Sequence, residues 1–263
     1  MIDYIVLIPT HNRPEKLSSL IDVLLPELQT RRMSMFILNS GRADAVDKIL
    51  LKLNNRNIIH LKLPDNYYWS MAISVGMKYV ERYDYKFQLW INDDVKLNNR
   101  SFAIIENDLT SIDNSIYVGA FQDKNNYVSY GLRDSGKLLT PNGTLLKGSL
   151  MNGNLVVIPK DLVNHIGQMP TWLRHSIGDN LYGKKAKLLG YDLLLSTEYI
   201  GYCERHDLPE PWQNNKKPKL VRFKNIFEAK GLDYFRYARY LFLYDSKNIL
   251  QRLLSPFFRI LFR

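Results

Sequence analysis

Two adjacent acids, Asp93 and Asp94, end the apolar run in "QLWINDDVKLN" (residues 88–98). The simplest interpretation is a polar strand end that turns into a solvated loop. The alternative is a site for a metal ion and a phosphate group at the carboxyl edge of a parallel sheet. Mg²⁺ and Mn²⁺ prefer oxygen ligands and often bind one or two carboxylates together with substrate phosphates. The rest of the sequence decides between these two interpretations.

The first half of the chain alternates strand-like and helix-like segments. The predicted strands are "YIVLIP", "MSMFILNSG", "NIIHLKLP" and the run before Asp93, with helical spacing of apolar residues between them. This alternation predicts right-handed βαβ units and a mainly parallel sheet. Ligands of such sheets bind beyond the carboxyl ends of the strands. Those ends are polar here, and we expect them to line one crevice: residues 10–13, 39–41, 65–66 and 92–94.

The second half of the chain is less regular. "SIYVGAFQ", "NLVVIP" and "DLLLSTEYIGYC" are predicted strands, and residues 131–153 are predicted to form a loop rich in Gly, Asn and Ser. The segment "LPEPWQNNKKPK" (residues 208–219) contains three prolines and is typical of a linker. We therefore predict an α/β domain over residues 1–207, a linker over 208–219 and a basic amphipathic helical region over 220–263.

Several common catalytic motifs are absent from the sequence. It contains no GxxxxGK[ST] and no GxGxxG after a strand, which removes the main support for nucleoside triphosphatases and dinucleotide enzymes. It also lacks GxSxG and HExxH. Without glycines whose amides cradle a diphosphate, a divalent cation held by carboxylates is the usual substitute, and residues 92–94 suit that role.

Five segments of the chain, taken in order, resemble glycosyltransferase family 2. They are "VLIPTHNRPEKL", "PDNYYWSMAISVGM", "WINDDVKL", "LLKGSLMNGNLVVIPKDLVNHIG" and "HSIGDNLYGKKAKLLGYD". The resemblance implies a GT-A fold, which is a mainly parallel mixed sheet flanked by helices. It also implies a nucleotide-sugar donor, Mn²⁺ or Mg²⁺ as cofactor, and transfer of a hexosyl or deoxyhexosyl group with inversion. The closest resemblance is to bacterial enzymes of surface glycan synthesis that use saccharide or lipid-linked acceptors.

The resemblance places the donor at the strand ends. The positions that match the family's nucleotide and donor contacts are Pro9, Thr10, Asn12, Arg13, Asn39, Asn66, Trp69, Asn92 and Asp93. Asn39 stands where the family commonly has an Asp on the base or ribose. Asn92 occupies the first place of the family's Asp-x-Asp, which leaves a ribose hydrogen bond possible but removes one negative charge.

Three further residues match the catalytic and metal positions of the family. Asp94 stands in the metal-binding last place of Asp-x-Asp, and His206 in "CERHD" matches a late histidine that completes the metal shell. Asp179 in "GDNLYG" aligns with the general base, which takes the proton of the acceptor hydroxyl. Each has a simpler alternative: Asp179 suits a helix N-terminus, and His206 suits the surface.

The positive charge of the chain is concentrated at its end. The net charge is +10, and residues 216–263 contain twelve Lys or Arg against three acids. In "NILQRLLSPFFRILFR" the apolar residues recur at i, i+1, i+4 and i+5, a pattern typical of a helix in a membrane interface. We predict binding to an anionic membrane surface, and the alternative is packing on the protein's own domain or on a partner. We expect no nucleic-acid partner, because the aromatic residues form a stripe rather than separate stacking platforms.

The remaining expectations concern location and rival functions. Cys203 is the only cysteine, and no signal peptide or long apolar span is visible, so we predict a cytoplasmic protein, peripheral at the inner face of the cell membrane. The rivals are a sugar-phosphate nucleotidyltransferase and a non-catalytic membrane or glycan-binding protein on a transferase scaffold. The sequence leaves the donor sugar, the acceptor and the oligomeric state open.

Overall fold

The computed structural model describes residues 2–174, 177–205, 211–229, 231–245 and 247–262. The strands are β1 (Ile2–Thr10), β2 (Met33–Asn39), β3 (Ile58–Lys62), β4 (Tyr85–Ile91), β5 (Lys96–Leu97), β6 (Ser115–Gln122), β7 (Val128–Tyr130), β8 (Leu132–Asp134), β9 (Lys137–Leu138), β10 (Leu146–Lys147), β11 (Leu150–Met151), β12 (Leu155–Pro159) and β13 (Asp192–Tyr202). The helices are α1 (Pro14–Thr30), α2 (Ala43–Leu53), α3 (Trp69–Val80), α4 (Ser101–Leu109), α5 (Lys160–Ile166), α6 (Gly178–Leu188), α7 (Lys219–Phe227), α8 (Tyr234–Tyr244) and α9 (Ile249–Leu261).

The main sheet has the strand order β10-β13-β6-β12-β4-β1-β2-β3. Strand β1 pairs in parallel with β2 and β4, and β2 pairs in parallel with β3. The predicted parallel βαβ half is therefore confirmed. Strand β12 is antiparallel to both β4 and β6, and β13 returns parallel to β6, so the second half makes the sheet mixed.

Helices cover both faces of this sheet. Successive side chains of a strand point to opposite faces, and β1 shows the consequence: Ile5 and Leu7 belong to one hydrophobic cluster, whereas Val6 and Ile8 belong to the other. The first cluster includes buried residues of α3, α5, α6 and α8, and the second includes those of α1, α2 and α4. A sheet buried on both faces explains why its strands are nearly continuous apolar runs.

One sequence-based expectation changes at this point. Residues 131–153, predicted to form a loop, contain short strands, and β11, β8 and β9 pair into a small separate sheet. Strands of two or three residues are too short to show alternation, which is why the sequence pattern did not reveal them. The predicted helical region beyond residue 220 contains α7, α8 and α9, and α8 packs on α6. The boundaries proposed for the linker stay a prediction, because residues 208–210 lie outside the described part.

Candidate active site

A cavity of about 650 Å³ opens at the carboxyl ends of the parallel strands. Seven of the residues predicted from the sequence line it: Pro9, Thr10, Arg13, Trp69, Asn92, Asp94 and Asp179. Strand β1 supplies the first two of these residues and β4 leads into Asn92 and Asp94, whereas Trp69 begins α3 and Asp179 lies in the first turn of α6. The structure therefore brings the acids of two distant segments to one crevice.

The other predicted residues lie elsewhere. Asn39 is buried, and its side chain holds the turn before α2, accepting from the Gly41 amide at 2.9 Å and donating to the Arg42 carbonyl at 3.2 Å. Asn12 accepts from the Arg42 amide at 2.9 Å, and Asn66 is exposed. His206 lies outside the described residues. Donor contacts by Asn12, Asn39 and Asn66, and a metal contact by His206, stay predictions.

A compact cluster of charges lies at one end of the cavity. Arg13 places its Nη2 2.6 Å from Asp93 Oδ1 and its Nη1 2.9 Å from Asp94 Oδ2. Thr10 donates its hydroxyl proton to Asp93 Oδ2 at 2.6 Å, and Lys16 Nζ lies 3.9 Å from Asp94 Oδ2. The Asp93 contact to Arg13 is a close ion contact without the geometry of a directed hydrogen bond. Two positively charged side chains thus contact two adjacent carboxylates.

The two acids of this cluster differ in their surroundings. The side chain of Asp93 is fully buried, and burial raises its pKa to about 6 despite the opposing effects of Arg13 and Thr10. Asp94 lines both the main cavity and a second cavity of about 550 Å³ behind it, in which Lys16, Lys96 and Asp93 also take part. Of the pair, Asp94 is therefore the acid that a ligand in the main cavity can reach.

A chain of hydrogen bonds fixes the middle of the cavity. The indole of Trp69 donates to Asn92 Oδ1 at 2.7 Å, and Asn92 Nδ2 donates to Asn154 Oδ1 at 2.8 Å. The Trp69 ring also lies directly on the backbone of Gly153, where a Cβ would come within 2.4 Å of it. The amide of Asn92 is therefore already used for positioning Trp69.

Asp179 lies on the wall of the cavity at the N-terminus of α6. Its Oδ2 accepts from the Gly153 amide at 2.9 Å, and its Oδ1 accepts from the Asn180 amide at 2.7 Å. The carboxylate keeps some contact with the cavity, but the surrounding protein raises its pKa, an effect that these amide donors oppose. Asp179 is thus both the acid of a helix N-terminus and a carboxylate that faces the cavity.

Sequence reasoning did not identify several lining residues. They are Tyr67, Tyr68, Ala72, Tyr130, Asn152, Gly153, Asn154 and Ile177, whereas His11 and Ser40 belong to the strand ends that were expected to line the crevice. Tyr67 and Tyr68 directly precede Trp69, and Gly153 belongs to a segment that resembles the family, so their neighbourhood was a usable signal. Tyr130 offered none, because only strand pairing across β6 and β7 brings it to the cavity.

The oxygen atoms of the site suit a hard divalent cation that is bound jointly by the protein and a diphosphate. No group of three or more His, Cys, Asp or Glu with metal-binding geometry occurs among the described residues. Mg²⁺ and Mn²⁺ nevertheless bind through one or two carboxylates plus substrate phosphates. Asp94 supplies one carboxylate at the cavity, so the residues present fit a cation that is held jointly with a diphosphate rather than by a protein cage.

Comparison with solved structures shows the same fold in glycosyltransferases. Staphylococcus aureus TarS (residues 1–349) superposes with a TM-score of 0.60 and 17% identity, over 97% of this chain and 72% of that one. GalNAc-T7 with UDP, GalNAc and Mn²⁺ gives 0.61 and 15%, over 97% of this chain and 55% of that one. The mannosyltransferase PcManGT from Pyrobaculum calidifontis with GDP-Man and Mn²⁺ gives 0.56 and 12%, over 97% and 76%.

These likenesses confirm the predicted fold. The chain has a GT-A fold. No protein-family model and no curated protein sequence matches it, so membership of glycosyltransferase family 2 stays a prediction. At identities of 12–17% the likeness extends to architecture and not to substrate.

Proposed function

We propose that this protein is an inverting, metal-dependent glycosyltransferase that moves a hexosyl or deoxyhexosyl group from a nucleotide-sugar to a saccharide or lipid-linked acceptor. The observation that supports this most is that Asp94, Arg13 and Asp179 line one shared cavity at the strand ends of a GT-A fold. Bacterial surface glycan synthesis is the role that we propose for the product.

Each part of the reaction has a residue in the cavity that suits it. Asp179 takes the proton of the acceptor hydroxyl as that oxygen attacks the anomeric carbon, and its raised pKa makes it a better proton acceptor than an ordinary Asp. Arg13 lies where it can contact the diphosphate. Asp94, with His206 as a further ligand, would hold Mn²⁺ or Mg²⁺, and the cation would stabilise the negative charge that develops on the leaving nucleoside diphosphate. Trp69, held by Asn92, forms an apolar wall suited to a sugar ring.

Two conservative variants test this function. We expect Asp179→Asn to lower kcat/KM for sugar transfer by about 10²–10⁴-fold, the usual effect of removing a general base. Asp94→Asn should abolish the stimulation of transfer by Mn²⁺. Asp161→Asn, on an exposed acid of α5, is the matched control. A thermal-shift screen of nucleotide-sugars with Mn²⁺ identifies the donor first, since specific binding stabilises the fold. Full activity in either variant contradicts the corresponding role.

We further propose that α7 and α9 bind an anionic membrane surface, which places the enzyme at the cytoplasmic face of the cell membrane. Leu250, Leu254 and Phe258 of α9 and Phe262 at its C-cap follow one another at i, i+4 spacing, and all four side chains are exposed. Exposed basic residues occur in the same C-terminal region: Lys216, Lys217, Lys219, Lys224, Lys247 and Arg259. An exposed apolar stripe in a basic region suits an interface of anionic lipid. No helix of the described residues is long and apolar enough to cross a bilayer.

Vesicle flotation tests the membrane proposal. The double variant Leu254→Ser/Phe258→Ser should float several-fold less with phosphatidylglycerol vesicles than the unaltered protein, with transfer to a water-soluble acceptor unchanged. Leu51→Ser is the control, because Leu51 is a comparably exposed apolar residue on α2. Equal flotation of the double variant, or equal binding to neutral phosphatidylcholine vesicles, contradicts the proposal. Loss of a dimer in the double variant would instead identify the stripe as a contact between copies of the chain.

A further inference from the structure

The strongest unexplained feature of the cavity is the contact of Arg13 and Lys16 with the acids proposed to serve the metal. Arg13 contacts Asp93 at 2.6 Å and Asp94 at 2.9 Å, and Lys16 adds a third contact at 3.9 Å. Two positive side chains therefore offset two negative ones within a few ångströms. A divalent cation that reaches Asp94 in this state enters a cluster that is already neutral.

The exposure of these side chains shows which of them can move. The side chains of Asp93 and Asp94 are 0% and 8% exposed, whereas those of Arg13 and Lys16 are 39% and 51% exposed. Asp93 is also held by the Thr10 hydroxyl, and Asp94 lies in the short turn between β4 and β5, so the acids have less freedom to move than the two basic side chains. Arg13 precedes α1 at the mouth of the cavity and lines it, so its guanidinium can leave the acids and stay within reach of a ligand.

We propose that Arg13 is a counter-ion that keeps the metal off Asp94 until the donor diphosphate arrives, so that metal and donor bind together. The inference rests on the proposed function and adds a rule of binding to it. A cation that approaches alone is repelled by Arg13 and Lys16 at short range, where Coulomb interactions are strong. With a diphosphate present, Arg13 transfers its contacts from the acids to the phosphate oxygens, to which guanidinium groups bind well. Asp94 then becomes available as a cation ligand.

The electrostatic balance makes this coupling reciprocal. A diphosphate that enters alone finds Arg13 and Lys16 engaged by acids, and a cation that enters alone finds its ligand engaged by Arg13. Together, the diphosphate replaces the acids as the partner of Arg13, and the cation replaces Arg13 as the partner of Asp94. By linkage, the factor by which nucleotide raises the affinity for the metal equals the factor by which the metal raises the affinity for nucleotide.

Mn²⁺ binding, measured from the electron paramagnetic resonance signal of free Mn²⁺, tests the proposal without any sugar transfer. The unaltered protein should bind Mn²⁺ weakly alone and at least about fivefold more tightly with saturating UDP or GDP, the range typical of coupled sites. Arg13→Gln should bind Mn²⁺ alone at least about fivefold more tightly than the unaltered protein, and should gain less from nucleotide. Arg13→Lys keeps the charge and should keep the weak binding.

Matched variants separate this charge effect from general changes. Lys62→Gln removes one positive charge from a surface pair with Asp47 and should leave Mn²⁺ binding unchanged. Arg13→Gln combined with Asp94→Asn should lose the gained affinity. Lys16→Gln, on an exposed residue of α1, should show a smaller increase in the same direction, and it decides the matter if Arg13→Gln does not fold.

The outcomes also separate this inference from the proposed function. If folded Arg13→Gln binds Mn²⁺ no more tightly than the unaltered protein does, Arg13 is not a counter-ion of this kind. Equal Mn²⁺ affinity of the unaltered protein with and without nucleotide overturns the coupling, while a transferase that loses activity in Asp179→Asn still stands. An absence of Mn²⁺ binding in every variant, nucleotide present, overturns both the coupling and the metal dependence.

Discussion

The strand-end cavity buries polar groups, whereas the C-terminal helices expose apolar ones. In the cavity, carboxylates and amides are withdrawn from water and bonded to the protein, as Asp93 and Asn92 show. In the C-terminal region, apolar groups face solvent: among the described residues, twelve of the eighteen exposed large hydrophobic side chains lie between residues 220 and 262. Both arrangements cost stability, and each becomes favourable when a ligand or surface covers it. The contrast therefore separates a site for a small polar ligand from a face for a large apolar partner.

The two regions are nevertheless joined through α8. Tyr240 and Leu241 of α8 are buried in the same hydrophobic cluster as the residues of α6 that follow Asp179. Arg174 forms two hydrogen bonds, of 3.1 and 3.0 Å, to the carboxylate of Asp233 just before α8. The C-terminal region is thus anchored mainly by α8, with a smaller contribution from Ile249 and Leu253 of α9.

The largest expected effect on stability tests this anchor. Leu241→Ala removes a fully buried side chain and should lower the free energy of unfolding by about 2–5 kcal/mol, the usual cost of such a cavity. Leu243→Ala, two residues away and 55% exposed, is the control and should change it by less than about 0.5 kcal/mol. Urea unfolding measures both. If Leu241→Ala is as mild as its control, the helices form a separate unit, and the contrast drawn above becomes one between two domains.

The second prediction concerns the cost of the buried charge in the cavity. The pKa of Asp93 is about 6 in the folded protein against 3.8 when unperturbed, so between these pH values the native state binds more protons than the unfolded chain. The contribution of Asp93 to the free energy of unfolding is therefore fully present below about pH 4 and is lost as pH rises through 6. The total loss is about 3 kcal/mol, at 1.36 kcal/mol per pKa unit. Unfolding is measured in the presence of EDTA. Between pH 4 and 7, the free energy of unfolding of Asp93→Asn should rise relative to that of the unaltered protein by up to this amount.

A constant difference between the two proteins over that range would show that Arg13 and Thr10 compensate the charge of Asp93 fully. The cavity would then resemble an ordinary surface ion cluster, and the contrast with the C-terminal face would weaken. Asp3→Asn is a suitable comparison, because Arg32 and Lys86 lower the pKa of Asp3. Its linkage therefore has the opposite sign, with stability that is present above the ordinary Asp range and lost as pH falls.

Sequence patterns predicted the parallel half of the molecule better than the rest, for a physical reason. Buried strands such as β1 and β2 are continuous apolar runs, and their carboxyl ends share one edge, so polar residues after them could be expected to meet. The same reasoning could not show that the side-chain amide of Asn39 points toward the turn that follows β2, because that depends on hydrogen bonds to Gly41 and Arg42. Nor could it show that Tyr130 reaches the cavity, which requires the pairing of β6 with β7.

The C-terminal pattern was correctly predicted as helical but left its apolar faces unresolved. Apolar residues at i, i+1, i+4 and i+5 form two adjacent stripes, and sequence alone does not say which stripe is covered. In the structure, Ile249 and Leu253 pack against the main cluster and Ile260 is buried, whereas the stripe through Leu254 and Phe258 is exposed. The stripe through Ile249 and Leu253 thus packs on the protein's own domain, as the alternative expected. The membrane proposal concerns the stripe through Leu254 and Phe258.

The smallest expected effect sharpens the description of the cavity. Asn92→Asp restores the first acid of Asp-x-Asp, but it removes the donor that bonds to Asn154 Oδ1 at 2.8 Å and sets two oxygens against each other. We expect the free energy of unfolding to fall by about 1–3 kcal/mol, the cost of a buried group left unsatisfied. Because Asn92 also accepts from the Trp69 indole, a change in Trp69 fluorescence and a higher KM for the donor should accompany it. Asn99→Asp, the same change at an exposed turn residue, is the control. If both variants are equally stable and the fluorescence is unchanged, Asn92 is an exchangeable ligand contact, and the cavity is less tightly built than its hydrogen bonds indicate.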